Sequence, residues 1–364
     1  MLLAVGLTGG HIYPAVALAE ELGREGFEYL FVARSGSILA QKILEQEGWP
    51  VVYLDVQGLP RSAAFLWKFP VFLLKQWEAF LLCRRVIADW KPDLAAGFGG
   101  YVSFPVMAAA RLRGTAVLLF EPNAALGLAN QAARFFADKI AFCMTPGGVP
   151  KSVEVEPPLR ASLKGARDIP GAQAKQRWGL RKDSACVLIF GGSQGSRIIN
   201  REAARTVADL KAAGAAFSFI HVTGAADHPE TSSFYRGLGL SPQEALCLEY
   251  CQEMGLAYRA ADIVVSRAGA MTCLELFYFA KRCILIPFEK SAGAHQRRNA
   301  RYLESFGIAR IIAERGLAGS LGVVLQEELR RHRGASKPEA AALRKTPTLG
   351  DVARQLMDKK NLKK

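Results

Sequence analysis

The chain has 364 residues, 50% of them hydrophobic and 22% charged. That size suits two globular domains, and the composition excludes disordered, collagenous and low-complexity classes. The 47 Lys and Arg against 33 Asp and Glu leave a formal +14, which points to an anionic partner: nucleic acid, phosphorylated small molecules or an acidic lipid surface.

Taken in chain order, short β-branched or apolar runs fall near 2–6, 28–33, 51–54, 94–97, 116–120 and 139–142, then near 186–190, 217–222, 262–265, 283–286 and 309–312. Helix-length amphipathic stretches separate most of them, so the spacing predicts βαβ units, parallel sheets and an α/β fold in two domains. Periodicity fades over 144–183, where Pro146, Gly147, Gly148, Pro150, Pro157, Pro158, Pro170 and Gly171 collect and read as a linker. The first domain is expected at 1–150, the linker with the start of the second at 151–183, the second domain at 184–340 and a basic tail at 341–364. Beyond about residue 318, Arg330, Arg331, Arg333, Lys359, Lys360, Lys363 and Lys364 read as a solvated helical end. Ligands of such sheets bind outside the carboxyl ends of the strands, so two facing domains would set a site in the cleft between them.

Charge and cysteine usage add context. Residues 1–160 hold 15 basic and 14 acidic side chains, and 161–364 hold 32 and 19, so the excess lies in the second half. Cys83, Cys143, Cys186, Cys247, Cys251, Cys273 and Cys283 are dispersed with no CxxC pair, as expected of reduced thiols in a cytosolic protein. The N-terminal apolar run reaches Thr8-Gly9-Gly10 with no basic leader or cleavage site, so no export is expected.

Three glycine-rich turns each follow an expected strand and open an expected helix: Gly6-Leu7-Thr8-Gly9-Gly10-His11, Gly97-Phe98-Gly99-Gly100-Tyr101 and Gly191-Gly192-Ser193-Gln194-Gly195-Ser196. Backbone without Cβ atoms approaches a phosphate closely, and the helix start behind it supplies N–H groups and a positive dipole end. None fits G-x-G-x-x-G or Walker A, which disfavours a dinucleotide dehydrogenase and a P-loop NTPase. The third turn also reads as G-x-S-x-G, so a serine hydrolase using Ser193 with Asp262 or Glu275 and His295 is the rival from another reaction class.

The block Asp262-Ile263-Val264-Val265-Ser266-Arg267-Ala268-Gly269-Ala270-Met271-Thr272-Cys273-Leu274-Glu275 reads as strand, turn and helix. Its helix start suits a phosphate, and Glu275 can accept both hydroxyls of a ribose. The plainer alternative is a first-turn acid favoured by the helix dipole. Together with Thr8-Gly9-Gly10-His11, Gly99-Gly100-Tyr101-Val102-Ser103, Gly191 to Arg197 and His295-Gln296-Arg297-Arg298-Asn299-Ala300, in that order, the block closely resembles the bacterial peptidoglycan N-acetylglucosaminyltransferases from about residue 4 to about 315.

The resemblance implies a GT-B fold: two Rossmann-like domains facing across a cleft, the UDP-GlcNAc donor in the second and the undecaprenyl-linked acceptor in the first. It implies inverting transfer of GlcNAc to lipid I, giving lipid II, and no cofactor. By motif match, Ser193 and the turn Ala270, Met271 and Thr272 would hold the donor diphosphate, with Arg160 and Arg267 nearby. Glu275 would bind the ribose and the backbone at Cys251 the uracil. Asn123 and Gln296, with His295 close, would contact GlcNAc hydroxyls. Thr8, Gly9 and Gly10 would border the donor as well as the acceptor pyrophosphate, which Gly99, Gly100 and Tyr101 also face. His11 is the general-base candidate and Glu121 the alternative. No Asp-x-Asp occurs, so helix dipole, amides and Arg would stabilise the leaving UDP without a metal. The chain departs from the family pattern at Leu7, at Phe120-Glu121-Pro122-Asn123 in place of His-Glu-Gln-Asn, and at Ala268 and Leu274.

Residues 63–87 are rich in Phe, Leu and Trp, but the longest uncharged stretch, Phe69 to Leu74, is far short of the ~20 residues of a spanning helix. Phe65, Trp67, Lys68, Phe72, Lys75, Trp77, Phe80, Arg84 and Arg85 suit an interfacial helix on an anionic membrane surface, against the alternative of a buried core helix. Residues 61–91 carry a local +4. The expected location is peripheral, on the cytoplasmic face of the cell membrane. No nucleic-acid module is present, and aromatics do not interleave with the basic tail.

Overall fold

Alternation of mostly apolar strands with amphipathic helices produces two all-parallel sheets. The computed structural model describes residues 1–45, 47–59, 65–144, 148–192, 194–289, 291, 294–334 and 346–361. It divides into unit 1, Met1–Arg160 with Lys345–Lys364, and unit 2, Ala161–Arg344.

Unit 1 runs β1 (Leu2–Ala4), α1 (Gly9–Gly23), β2 (Leu30–Arg34), the short α2 (Ile38–Ala40), β3 (Val51–Leu54), α3 (Phe65–Trp90), β4 (Leu94–Gly97), α4 (Ser103–Leu112), β5 (Ala116–Glu121), α5 (Leu128–Ala133), β6 (Lys139–Phe142) and β7 (Ser152–Glu154). Its sheet order is β3-β2-β1-β4-β5-β6-β7. Central strands such as β5 are buried along their whole length, as a parallel sheet covered by helices on both faces requires.

Unit 2 runs α6 (Ala161–Gly165), α7 (Gly171–Arg177), β8 (Cys186–Phe190), α8 (Arg197–Ala212), β9 (Ser218–Val222), α9 (His228–Gly237), β10 (Ala245–Leu248), α10 (Met254–Ala260), β11 (Ile263–Ser266), α11 (Ala270–Tyr278), β12 (Arg282–Leu285), α12 (His295–Ser305), β13 (Ala309–Ile311) and α13 (Leu317–Gly334). Its sheet order is β10-β9-β8-β11-β12-β13. In both sheets the order reverses once, between β1 and β4 and between β8 and β11, and this doubly wound topology opens a crevice at the carboxyl ends of those strands.

The stretch read as a linker is built rather than extended: it contributes β7, α6 and α7, while its Pro146 and Gly147 lie outside the described residues. The solvated helical end is also corrected. Leu317, Leu321, Leu325 and Leu329 recur every four residues and are buried in the unit 2 core, and Glu328 pairs with Arg331 of the basic run and with Arg310 on β13. The segment set apart as a basic tail carries α14 (Leu349–Asn361), which belongs to unit 1. Leu349, Val352, Ala353 and Met357 are buried there, and Thr348 Oγ1 donates to Glu21 Oε1 at 2.7 Å. Lys363 and Lys364 lie outside the described residues.

At the amino end of the second sheet, Asp262 precedes β11 and ties it to β8. Its Oδ2 accepts from Lys175 Nζ at 2.6 Å and from the Cys186 amide at 2.9 Å, and Lys175 also donates to the Ser184 carbonyl at 2.7 Å. Lys175 is only 7% exposed. Removing one partner of a buried pair strands the other, so Lys175→Met should cost about 3–5 kcal/mol. A urea midpoint equal to wild type would show that this tie contributes nothing.

Candidate functional site

In unit 1 the loops after β1 and β4 meet because those strands pair in register, Ala4 beside Gly97. His11, in the first turn of α1, inserts its ring between them. A methyl on Gly6 would overlap the imidazole, one on Gly99 would lie 3.1 Å from Cδ2 and Nε2, and one on Gly100 would lie 2.7 Å from Gly6 Cα. Gly99 and Gly100 also have φ of 90° and 79°, a region that costs other residues energy. These glycines therefore make room for an imidazole as well as for any ligand. His11 Nδ1 lies 3.2 Å from Thr8 Oγ1, and burial pushes the His11 pKa down to about 4. Tyr101 packs on Gly58.

Helix starts at these loops are left uncapped. Neither α1 nor α8 nor α11 has a side-chain cap or an acid in its first turn. An N-terminus without a cap keeps N–H groups for an outside anion. At α11 the N-cap is Gly269, and Ala270, Met271 and Thr272 form the first turn. Glu275 stands in the second turn, which removes its reading as a first-turn acid; Tyr258 Oη donates to its Oε2 at 2.7 Å. Cys251 is buried just before α10, with its thiol pKa pushed up to about 11 by burial. Gln296 Oε1 accepts from the Phe288 amide at 2.9 Å, and His295 precedes it at the start of α12.

Several expected residues stand differently. Glu121, the alternative base, is 2% exposed. It accepts from Asn123 N at 3.1 Å, Asn123 Nδ2 at 2.7 Å, Gly127 N at 2.8 Å and Asn130 Nδ2 at 3.0 Å. Four donors on one buried carboxylate make it the anchor of the loop after β5 rather than an open proton acceptor. Arg267 is drawn into unit 2's own framework: its guanidinium donates to Ser196 Oγ at 3.0 Å, Glu314 Oε1 at 2.9 Å and the Ile286 carbonyl at 3.3 Å. Arg160 belongs to unit 1, its guanidinium 4.1 Å from the Tyr13 ring centroid on α1. Ser193 lies outside the described residues.

The serine-hydrolase alternative loses Asp262 as its acid on topology. Ile263 pairs with Val187, so Asp262 sits at the amino end of β11, while the Gly191 loop leaves the carboxyl end of the five-residue β8. At about 3.3 Å per residue the two ends are roughly 16 Å apart.

The helix α3 buries one face, through Ala79, Cys83 and Ile87, in the unit 1 core and leaves the other open. Trp67 is 86% exposed, Trp77 58%, Leu74 55% and Leu73 50%, beside exposed Lys68, Arg84 and Arg85. Three of the residues expected on its membrane face are corrected. Lys75 is paired with Asp55 and Glu78, both at 3.0 Å; Phe72 is half-buried, and Phe80 packs against the unit 1 core. Arg61 lies outside the described residues, as does the side chain of Phe65. Among the described residues no helix is long and apolar enough to cross a membrane.

Sequence reading missed Tyr258, Asn130 and the buried set around His221. The His221 ring bonds Tyr235 Oη at 2.8 Å and Asn200 Oδ1 at 3.1 Å, and burial pushes its pKa down to about 3. Packing of helices on the sheets brings these groups together, and no local motif marks them.

Both depressed histidines have a linkage consequence. An unfolded His takes up its proton near pH 6.5, whereas His11 does so near 4 in the folded chain. Between those values the unfolded state binds more protons, so stability should fall as pH drops from about 6.5 towards 4. Urea midpoints at pH 7.5 and 5.0 should show a smaller loss in His11→Gln than in wild type; equal losses would mean that the ring is not held neutral.

Comparison with known proteins agrees with this geometry. The Glycosyltransferase family 28 N-terminal domain matches residues 1–142 and the family 28 C-terminal domain matches 186–353. A UDP-N-acetylglucosamine–N-acetylmuramyl-(pentapeptide) pyrophosphoryl-undecaprenol N-acetylglucosamine transferase of Anaeromyxobacter sp. (strain Fw109-5) is 34% identical over 88% of this chain and 82% of its own. The protein of that name from Haemophilus influenzae is 31% identical over 91% of this chain and 90% of its own. The crystal structure of Acinetobacter baumannii MurG superposes with a TM-score of 0.74 at 23% identity, covering 100% of this chain and 99% of that one, which supports the GT-B fold of two Rossmann-like domains. With both halves matched and identity above 30% along most of its length, the chain belongs to glycosyltransferase family 28, among the pyrophosphoryl-undecaprenol N-acetylglucosamine transferases.

Proposed function

We infer that this chain is the hexosyltransferase of peptidoglycan synthesis that moves GlcNAc from UDP-GlcNAc to undecaprenyl-pyrophosphoryl-MurNAc-pentapeptide, lipid I, to form lipid II. The observation that carries the reading is the near full-length match to proteins named for this reaction, on a chain whose glycine loops lie at the two strand-order reversals.

The donor reading belongs to unit 2. Amides of Ala270 to Thr272 at the uncapped start of α11 suit the diphosphate, Glu275 the ribose hydroxyls and the Cys251 backbone the uracil, with Gln296 and His295 for the sugar. The acceptor pyrophosphate suits the loops of Thr8 to Gly10 and Gly99 to Tyr101 in unit 1. In the transfer, the acceptor sugar hydroxyl attacks the anomeric carbon, the bond to UDP oxygen breaks with its electron pair leaving on UDP, and the configuration inverts. The hydroxyl proton passes to His11. A proton on Nδ1, donated to Thr8 Oγ1, leaves Nε2 as the basic nitrogen. A pKa near 4 keeps the ring neutral and ready, and a pyrophosphate beside it favours the imidazolium, bringing the base towards its working pH. Helix dipole and amides stabilise the leaving group, without a metal.

The exposed face of α3 supports peripheral contact with an anionic bilayer, since Trp67 and Trp77 suit the headgroup level and Lys68, Arg84 and Arg85 suit the lipid charge.

Labelled UDP-GlcNAc and a lipid I analogue should give product in EDTA; no transfer with or without added metal would refute the reading. Glu275→Ala should raise the donor Kd at least tenfold, while His11→Ala should lower kcat with donor binding retained. The acid limb of kcat/KM should lie near pH 4 and that of kcat higher; coincident limbs would exclude tuning of His11 by substrate. Trp67→Ser with Trp77→Ser should reduce binding to vesicles of anionic lipid, and unchanged binding would remove α3 from the contact.

A further inference from the structure

Tyr258 is 0% exposed, yet it carries a polar group that packing could have omitted. Its ring is stacked on Phe279, centroids 5.3 Å apart at 24°, and meets Phe190 edge-on at 6.1 Å. Phe190 is the last residue of β8, immediately before the Gly191 loop, and Phe279 follows α11. Clamped on both sides, the phenol has one direction for its O–H, and that direction is Glu275 Oε2 at 2.7 Å. Burial and the neighbouring carboxylate push the phenol pKa well up, so the group remains a donor at any working pH. Tyr258 lies on α10, which begins at Met254, three residues after Cys251. One hydrogen bond thus joins the helix behind the uracil segment to the carboxylate assigned to the ribose.

We propose that Tyr258 is a positioning residue for nucleotide selection: its O–H fixes the Glu275 carboxylate in the orientation that accepts both ribose hydroxyls, and so sets the preference for a ribonucleoside over a 2′-deoxyribonucleoside diphosphate. This rests on the reading of Glu275 as the ribose carboxylate. A glutamate has three side-chain torsions, and holding them before the ligand arrives moves the entropy loss from binding to folding. An ionised carboxylate offers about four acceptor directions, so a bond to Tyr258 is compatible with two more from a vicinal diol. A carboxylate that swivels could meet one hydroxyl as readily as two, and the 2′ position would then matter less.

The test measures Kd for UDP and for 2′-deoxy-UDP by calorimetry on the full chain. Tyr258→Phe keeps the stacked ring and removes only the donor. It should weaken UDP binding about tenfold and shrink the UDP to 2′-deoxy-UDP preference, with kcat at saturating donor within about twofold of wild type. In a Glu275→Ala background, Tyr258→Phe should have no further effect on UDP. Phe279→Leu, which loosens the ring but keeps the hydroxyl, should move the preference the same way by a smaller factor. A folded Tyr258→Phe protein with the wild-type preference, or an equal loss in the Glu275→Ala background, would overturn the proposal. If Glu275→Ala itself leaves UDP binding intact, the ribose assignment of Glu275 is what fails.

Discussion

The reversal of strand order inside each parallel sheet is the constraint on which the rest of this molecule depends. Where β1 pairs with β4, and β8 with β11, the chain goes on to opposite faces of the sheet. The carboxyl ends of those strands are therefore left uncovered by helices. The glycine-bearing turns issue from these four strands, and all four helices that follow, α1, α4, α8 and α11, begin without a side-chain cap or first-turn acid. Backbone amides, rather than a cluster of cations, are what these turns offer to phosphate. Arg267, in the turn after β11, is held by Ser196, Ile286 and Glu314 and acts as a strut.

Glycine in these turns has two physical roles that a sequence motif merges. Around His11, the missing side chains of Gly6 and Gly99 are filled by the imidazole itself, which is why the ring is desolvated and its pKa falls to about 4. Packing and chemistry are then one property. The loop after β5 shows the same economy: Glu121 collects four N–H donors and so holds Asn123 in place, although a glutamate near a general base invites reading as a second base.

The sequence marks 63–87 as a helix and the chain beyond about 318 as a helical end, but not what covers them. For α3 the structure shows one face in the unit 1 core, with Ala79, Cys83 and Ile87, and an opposite face on which Trp67 and Trp77 are exposed. For α13 and α14 the density of Arg and Lys suggested solvation, yet the Leu stripe of α13 and the apolar face of α14 are buried. Charge in these helices sits on the outward face, so composition alone misjudges them. β7 and β10 were illegible because β7 lies among prolines and β10 is only half-buried at a sheet edge.

By itself the sequence determined the α/β class, the glycine turns, the order of the motifs and the family, because each of these is written in residues adjacent along the chain. Tertiary structure alone decided which side chains are tied up and which pairs act together. Lys175 with Asp262 spans 87 residues, Arg267 with Glu314 spans 47 and Tyr258 with Glu275 spans 17. Such pairs exist only because parallel strands bring distant segments side by side, and no local pattern of hydrophobicity or spacing encodes which buried donor finds which acceptor.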